Sequence, residues 1–367
     1  MNPGSRMKAN SKKKVMIFSC TDMRNNRVIK DKLCGVILAA GYGRRMAPLS
    51  SFIPKPLLPV LGKPLINTIA KKLIRSGASS VHVNTHHLSE SFDEGAISPD
   101  LPVIFHTEDR ILDTGGGIGN MAGSLDSCGL ILIHNGDIIS NIDYAPAIDF
   151  HQNQNALITL ILTENGENNG KKSRKEVSVK PALFSPPPQI EISDKMRIVG
   201  IRSKRRDESD SIRLAGYTGM AILSGEALRF FPSGRNIGLI EILLEIIKKN
   251  AGRISGYIAG SPTEGILWSD IGSPESYLEL HRRILTGQFI FDPEIVPPAI
   301  PLHSATNAEI ARDTSWRGFL EIGGGAVIEQ NCELENCVIL PETIVKRGTK
   351  VKNRILFPEG QLEAKGL

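Results

Sequence analysis

Residues 38–56 bring together a glycine turn, two arginines and a lysine between two prolines, which are residue types suited to binding a polyphosphate. An apolar run predicts a strand that ends at this turn, where Gly41 and Gly43 let backbone N–H groups approach an anion closely. Arg45 adds bidentate donors with a fixed charge, and Lys55 adds a point charge. The combination predicts a cradle for a triphosphate.

Two common phosphate motifs do not account for this turn. The Walker A motif requires G-x-x-x-x-G-K-[ST], and no such run occurs here. The dinucleotide fingerprint G-x-G-x-x-G would place its third glycine at Met46. An ordinary strand-to-helix loop with stray charge is the non-functional alternative, and the many fixed spacings in residues 38–50 and 54–56 argue against it.

Two aspartates are candidate ligands for a hard cation. Asp137 follows the apolar run 130–133, at a strand end where open α/β sheets place their ligands. Asp270 lies in the segment 268–274, Trp-Ser-Asp-Ile-Gly-Ser-Pro. Each alone could be a turn or helix-cap residue. Together, two carboxylates from distant positions can neutralise one cation that also bridges phosphates.

The motifs resemble those of the sugar-1-phosphate nucleotidyltransferases. Residues 38–50 follow that family's L-A-[AG]-G-x-G-x-R-[ML]-x-P-L-[ST] pattern, residues 54–56 its P-K-P, and residues 268–274 its W-x-D-[IV]-G-[TS]-P. Residues 112–118 are most similar to the segment that presents backbone groups to the base in N-acetylmuramate 1-phosphate uridylyltransferases; mannose-1-phosphate guanylyltransferases are also similar. The resemblance covers about residues 33–285.

The resemblance implies Mg²⁺-dependent transfer of a nucleotidyl group from UTP or GTP to a sugar 1-phosphate, with release of pyrophosphate. It implies that Arg45 stabilises charge on the phosphates, that Lys55 positions them, and that Asp137 and Asp270 hold the metal. The nucleotide is expected to contact Leu38, Ala39, Ala40, Gly41, Gly43, Thr114, Gly115 and Gly116.

Several alternatives stay open. Residues 117–122 fit the NAD-type pattern G-x-G-x-x-A, but this run does not directly follow a predicted strand and leaves Arg45 unexplained. The family's E-K-P motif for the sugar phosphate is missing, so Arg202 or Lys204 could serve instead. A catalytically silent regulatory or scaffold subunit is the alternative function. Base and sugar are undetermined between uridine with an N-acetylhexosamine and guanosine with mannose or a heptose.

The apolar pattern predicts the elements that carry these residues. Apolar runs alternate with amphipathic segments, which favours an α/β fold: a Rossmann-like, mostly parallel sheet with helices on both faces, over residues 33–285. Predicted strands include 81–84, 102–105, 130–133 and 156–162, and predicted helices follow Pro64, Asn236 and Ser273. His86 and His87, after one strand, are assigned a structural role.

A different period begins at residue 319. Apolar residues recur every six positions, with a one-residue shift after Leu334, which predicts a short parallel β-helix over 319–367. The resemblance implies a left-handed coil, and we hypothesise a role in self-association or as a lid; homo-oligomer formation is left open. Residues 286–318 are predicted to be a linker, and residues 1–32 a disordered basic extension.

Composition limits the remaining functional classes. The chain has 367 residues, a net charge of +5 and 5% aromatic residues, and its basic residues cluster at the N-terminus. This pattern favours neither a nucleic-acid partner nor a membrane partner, since no apolar run approaches the ~20 residues of a membrane span. The five cysteines lack C-x-x-C spacing and are predicted to be reduced thiols of a cytoplasmic protein.

Overall fold

The computed structural model describes residues 32–92, 96–164, 189–202, 212–249, 253–260, 268–290 and 300–365. These residues belong to one compact unit, 31–367. The predicted N-terminal extension, apart from its last residue, and Lys204 lie outside the described residues.

Within the described ranges, thirteen strands and five α-helices precede the C-terminal coil. They are β1 (Leu33–Leu38), β2 (Pro59–Val60), β3 (Lys63–Pro64), α1 (Leu65–Arg75), β4 (Val81–Thr85), β5 (Val103–Thr107), α2 (Asp113–Leu125), β6 (Leu130–Asn135), β7 (Ile138–Ser140), α3 (Ala145–Asn153), β8 (Ile158–Glu164), β9 (Gln189–Ser193), β10 (Ile198–Arg202), β11 (Ile212–Ser224), α4 (Leu239–Lys248), β12 (Ile254–Ile258), β13 (Trp268–Asp270) and α5 (Pro274–Leu285). The coil contains β14 (Leu302–Ser304), β15 (Glu309–Ile310), β16 (Ser315–Ile322), β17 (Val327–Ile328), β18 (Glu333–Ile339), β19 (Ile344–Val345), β20 (Lys350–Phe357) and β21 (Gly360–Glu363).

The central sheet has the order β10-β9-β11-β6-β1-β4-β5, and β8 joins β11 to β12. Strands β6, β1, β4 and β5 are parallel, whereas β11 runs antiparallel to β6. Hydrophobic clusters cover both faces of the sheet. The predicted α/β fold is therefore confirmed. The register pairs Leu38 with Asn84 and with Asn135, so β1, β4 and β6 end at one edge.

Helix α2 was not predicted from the sequence. Residues 113–125 contain five glycines, each costing about 1 kcal/mol relative to alanine in a helix interior. The helix forms because its glycine face is buried against a neighbouring loop, as described below. None of the helices in the described ranges has both the length and the apolar composition needed to cross a membrane.

The C-terminal strands form a parallel β-helix, as the six-residue period predicted. Strands β14, β16, β18 and β20 stack in one parallel ladder, and β15, β17 and β19 stack in another. Ile322, Ile328 and Ile339 point into its buried core. The coil begins at Leu302 rather than at residue 319, because the proline-rich segment predicted as a linker, 286–318, already contributes paired strands. The left-handed sense stays a prediction.

Two cysteines differ from the expectation of reduced thiols. Cys34 at the start of β1 and Cys128 just before β6 form a disulfide bond, and both residues are buried. Their spacing of 94 positions carries no C-x-x-C pattern, so only the parallel pairing of β1 with β6 brings them together. Cys332 and Cys337 are free and buried.

The disulfide makes a testable prediction. Alkylation of the unfolded protein without reductant should spare Cys34 and Cys128, and reduction should expose both to the reagent. Closing a loop of 94 residues should stabilise the fold by about 4 kcal/mol, because it restricts the unfolded chain. Denaturant unfolding with and without reductant measures this difference. A double Cys34→Ala/Cys128→Ala variant is the control, and reductant-insensitive stability of the native protein would contradict the bond.

Candidate active site

A cavity of about 230 Å³ lies at the edge where β1, β4 and β6 end. Its walls include six of the eight predicted nucleotide contacts: Leu38, Ala39, Ala40, Gly41, Gly43 and Thr114. Lys55 and Asp137 also line it. The glycine turn and the first metal candidate therefore face one space. Gly115 and Gly116 are not among the lining residues.

The glycine turn has the shape that an anion cradle requires. Gly43 has a φ of 65°, and a Cβ atom there would lie 3.1 Å from two carbon atoms of the Lys55 side chain. A glycine is thus needed for the turn to pack on the lysine stem. Nothing lies within 4 Å of the corresponding position at Gly41, so its backbone is open to a ligand. Met46 is fully buried and anchors the turn.

A two-stranded ribbon brings the two aspartates together. Strand β7 pairs antiparallel with β13, with Asp270 opposite Ile138, and the N–H of Ile271 donates to the carbonyl of Asp137 at 2.9 Å. The indole N–H of Trp268 donates to the carbonyl of Thr218 at 2.7 Å and fixes the ribbon on the sheet. The backbone therefore holds Asp270 next to Asp137, which lines the cavity, whereas Asp270 and Arg45 are not among the lining residues.

Each aspartate has a cationic neighbour from the glycine turn or the P-K-P segment. Lys55 Nζ lies 3.6 Å from Asp137 Oδ2, and Arg45 Nη2 lies 3.9 Å from Asp270 Oδ2. Burial, and next the charge of Asp137, raises the pKa of Asp270, while Arg45 opposes the shift. The two carboxylates thus repel each other, and a cation between them would relieve that repulsion.

A buried polar network supports the cavity from below. Asn84 Oδ1 accepts from the N–H of Ala39 at 2.8 Å, and Asn84 Nδ2 donates to Glu108 Oε1 at 2.7 Å. Glu108 Oε2 accepts from the N–H of Leu112 at 3.1 Å. Burial raises the pKa of Glu108 despite these bonds. Glu108 was not predicted from the sequence, where its one indication was its position just after a strand.

Comparison with known proteins agrees with this geometry. The model of the nucleotidyl transferase family matches residues 34–170. Mannose-1-phosphate guanylyltransferase of Mycobacterium tuberculosis is 26% identical, over 86% of this chain and 82% of that protein. UTP–glucose-1-phosphate uridylyltransferase of Synechocystis is 24% identical, over 89% of this chain and 83% of that protein. The matched nucleotidyl transferase domain and these relatives support the predicted sugar-1-phosphate nucleotidyltransferase family.

Among solved structures, HddC from Yersinia pseudotuberculosis complexed with GMP-PN has a TM-score of 0.49 and 21% identity, covering 67% of this chain and 96% of that one. The predicted family and the prediction of an enzyme of nucleotidyltransferase type are confirmed by the sequence relatives.

The glycine run of this nucleotidyltransferase serves close packing inside helix α2. A Cβ at Gly116 would lie 1.9 Å from the carbonyl of Arg235, and one at Gly117 would lie 2.6 Å from Asn84 Nδ2. The N–H of Gly115 donates to the carbonyl of Ile237 at 2.9 Å. The glycines that fitted the NAD-type pattern are thus in a buried helix rather than in a strand-to-helix loop. A contact of Gly115 or Gly116 with the base stays a prediction.

The two histidines of the nucleotidyltransferase brace the rim of the site. His86 Nδ1 lies 2.8 Å from the carbonyl of Glu108, and His87 Nε2 lies 2.7 Å from the carbonyl of Ser50. The rings of both histidines also contact the ring of Tyr42 in the glycine turn. These contacts agree with the structural role that the sequence indicated.

The packing of α2 makes a testable prediction. Gly117→Ala should destabilise the protein by about 1–3 kcal/mol, because the added methyl group displaces the hydrogen-bonded pair of Asn84 and Glu108. Gly123→Ala in the same helix is the matched control, since nothing lies within 4 Å of its Cβ position. That variant should be neutral or more stable. Denaturant unfolding measures both, and equal stability of the two variants would contradict the role given to Gly117.

Proposed function

We propose that the chain catalyses attack by a sugar 1-phosphate oxygen on the α-phosphorus of a nucleoside triphosphate, giving a nucleotide sugar and pyrophosphate. The observation that carries this proposal is the cluster of four charges beside the cavity: Lys55 and Asp137 line it, and Arg45 and Asp270 pair next to them. The activities of the relatives, which transfer guanylyl or uridylyl groups to sugar 1-phosphates, support the same reaction class.

The geometry suits this reaction because both reactants are anions. Phosphoryl and nucleotidyl transfer require positioning and charge neutralisation more than covalent chemistry. Lys55, with its side chain largely enclosed, would contact the phosphates at the cavity floor, and the more exposed Arg45 would reach them from the rim. The open backbone at Gly41 would receive the polyphosphate. Leu38, Ala39 and Ala40 would line the nucleoside.

Asp137 and Asp270 fit a Mg²⁺ ion. Asp270 ends β13, and Asp137 immediately precedes β7, the strand paired with β13. The pKa of Asp270 is raised by burial and then by the charge of Asp137. The described ranges contain no cluster of three or more His, Cys, Asp or Glu side chains that could form an all-protein metal cage. That suits Mg²⁺, which commonly takes one or two carboxylates and completes its shell with waters and phosphates. When bound, the ion would neutralise phosphate charge.

The proposal also covers the two substrates and the location of the protein. The donor is UTP or GTP, and the acceptor is a hexose-type or heptose-type sugar 1-phosphate. A cytoplasmic location stays a prediction, although reduced thiols no longer support it at Cys34 and Cys128. Arg202, at the end of β10, or Lys204, which lies outside the described residues, is the proposed contact for the sugar phosphate in place of an E-K-P motif.

Pyrophosphate release tests the proposed function. The full chain is incubated with Mg²⁺, each of four nucleoside triphosphates and a panel of sugar 1-phosphates, with each reactant omitted in turn. We expect release that needs both a triphosphate and a sugar 1-phosphate, with UTP or GTP preferred. Absence of release with every pair, from folded protein, would favour the regulatory or scaffold alternative instead.

The metal assignment makes its own prediction. Asp270→Asn should lower turnover by about 100-fold or more, because the phosphates are then poorly neutralised. The melting temperature should not fall, since the substitution also removes the repulsion between Asp270 and Asp137. Asp126→Asn, at an exposed helix end, is the control and should leave both quantities unchanged. Unaltered turnover in Asp270→Asn would remove this residue from the mechanism.

A further inference from the structure

The β-helix packs directly on the elements that hold the active site. Phe319 and Phe357 of the coil belong to the same buried cluster as Leu49, Leu58 and Tyr277. Leu49 and Leu58 flank the P-K-P segment, and Tyr277 is on α5. The β-helix therefore shares a hydrophobic core with the segments that carry the candidate site.

One carboxylate is buried in this otherwise apolar interface. Glu321 on β16 is 2% exposed, and its Oε1 accepts from the N–H of Gly62 at 3.0 Å. Its Oε2 lies 2.8 Å from Nε2 of His281, which is fully buried on α5. His303 stands beside Glu321 in the parallel ladder. A buried charge is costly unless it is paired, so this arrangement constrains both partners of Glu321.

His281 is held as the charged partner. Its Nδ1 lies 2.8 Å from the carbonyl of Tyr277, an acceptor, while Nε2 faces the Glu321 carboxylate, also an acceptor. Both ring nitrogens therefore carry protons. Burial lowers the pKa of His281, but Glu321 and the backbone carbonyls outweigh burial and raise it. The pair is a buried ion pair between the coil and helix α5.

The two partners of Glu321 belong to the two segments that carry site residues. Gly62 lies in the β2–β3 hairpin, which directly follows the turn that contains Lys55. In that turn the N–H of Leu58 donates to the Lys55 carbonyl at 3.0 Å. His281 is on α5, whose capped first turn begins immediately after the segment of Asp270. The hydroxyl of Tyr277 donates to the carbonyl of Pro59 and links the same two segments.

We propose that Glu321 is a positioning residue supplied by the β-helix, whose carboxylate clamps the segment of Lys55 against the segment of Asp270. The coil then contributes to catalysis without touching the substrate. Lys55 and Asp270 come from chain positions far apart, and Glu321 bonds to the support of each, in addition to the direct bond of Tyr277 to Pro59. This inference rests on the proposed reaction, since turnover is one of its readouts.

Two substitutions distinguish the effect of the Glu321 charge from the effect of its side-chain length. Glu321→Gln keeps an acceptor for the Gly62 N–H but removes the charge that faces His281. Glu321→Asp keeps the charge but is too short to hold both partners. Glu333→Gln is the matched control, because Glu333 is an exposed acid on the same coil that pairs with Lys350. Circular dichroism and thermal unfolding select the variants that fold.

Both Glu321 variants should lower kcat by about tenfold or more and raise the Mg²⁺ half-saturation by a similar factor, as outer supports of metal ligands commonly do. The KM for the nucleotide should rise by a smaller factor, because Lys55 shifts while the glycine turn, which Glu321 does not hold, stays in place. The Glu333→Gln control should match the native protein in all three. A folded Glu321 variant with native kcat and native Mg²⁺ dependence would overturn the proposal.

Hydrogen exchange provides a readout that does not depend on turnover. Peptides covering residues 55–62 and 271–281 should exchange about tenfold faster in Glu321→Gln than in Glu333→Gln, because a charge-assisted bond is replaced by a neutral one. Unchanged exchange in both peptides would overturn the clamp. If the native protein releases no pyrophosphate, the proposed function is wrong. The exchange comparison does not depend on that result and still tests whether Glu321 holds the two segments together.

Discussion

Two like charges confined at one sheet edge are the constraint around which this protein is organised. Asp137 and Asp270 repel each other, and burial of Asp270 strengthens the effect, as the raised pKa of that carboxyl indicates. Lys55 and Arg45 offset part of the repulsion. Two carboxylates that repel each other stay close only if the backbone prevents them from moving apart. Here the β7–β13 ribbon, bonded to the sheet through Trp268, provides that restraint.

The surrounding elements supply rigidity to this edge. The register of β1 with β4 and β6 brings the ends of three strands together, and the bonds of Asn84 hold the backbone of Ala39 in place. The glycines of α2 let the backbone at Arg235 and the side chains of Asn84 and Glu108 pack closely against the helix. On the other side, the β-helix shares a hydrophobic cluster with Leu49 and Leu58, which flank the P-K-P segment. A site that neutralises phosphates by position alone depends on such support.

Much of this could be predicted from the sequence, since the informative residues follow local rules. Strand ends marked by apolar runs located Asp137, the glycine spacing located the turn before Arg45, and a six-residue period identified the coil. These patterns need only neighbouring residues to be interpreted.

The features that escaped prediction depend on pairs distant in the chain. Glu108 is informative only once Asn84 lies beside it, and Glu321 only once Gly62 and His281 do. Helix α2 was not predicted, because its glycine face packs on a loop more than a hundred residues away and its intrinsic propensity is low. The Cys34–Cys128 bond likewise follows from strand pairing, which cysteine spacing does not encode.

Diffraction from crystals grown with Mn²⁺ and a non-hydrolysable nucleoside triphosphate tests the central claim most directly. Mn²⁺ replaces Mg²⁺ and can be located by its anomalous scattering. The account predicts one peak at coordination distance, about 2.1 Å, from a carboxylate oxygen of Asp137 and of Asp270, with phosphate oxygens on its other side. A metal bound elsewhere, with these two carboxylates turned away from the phosphates, would contradict it.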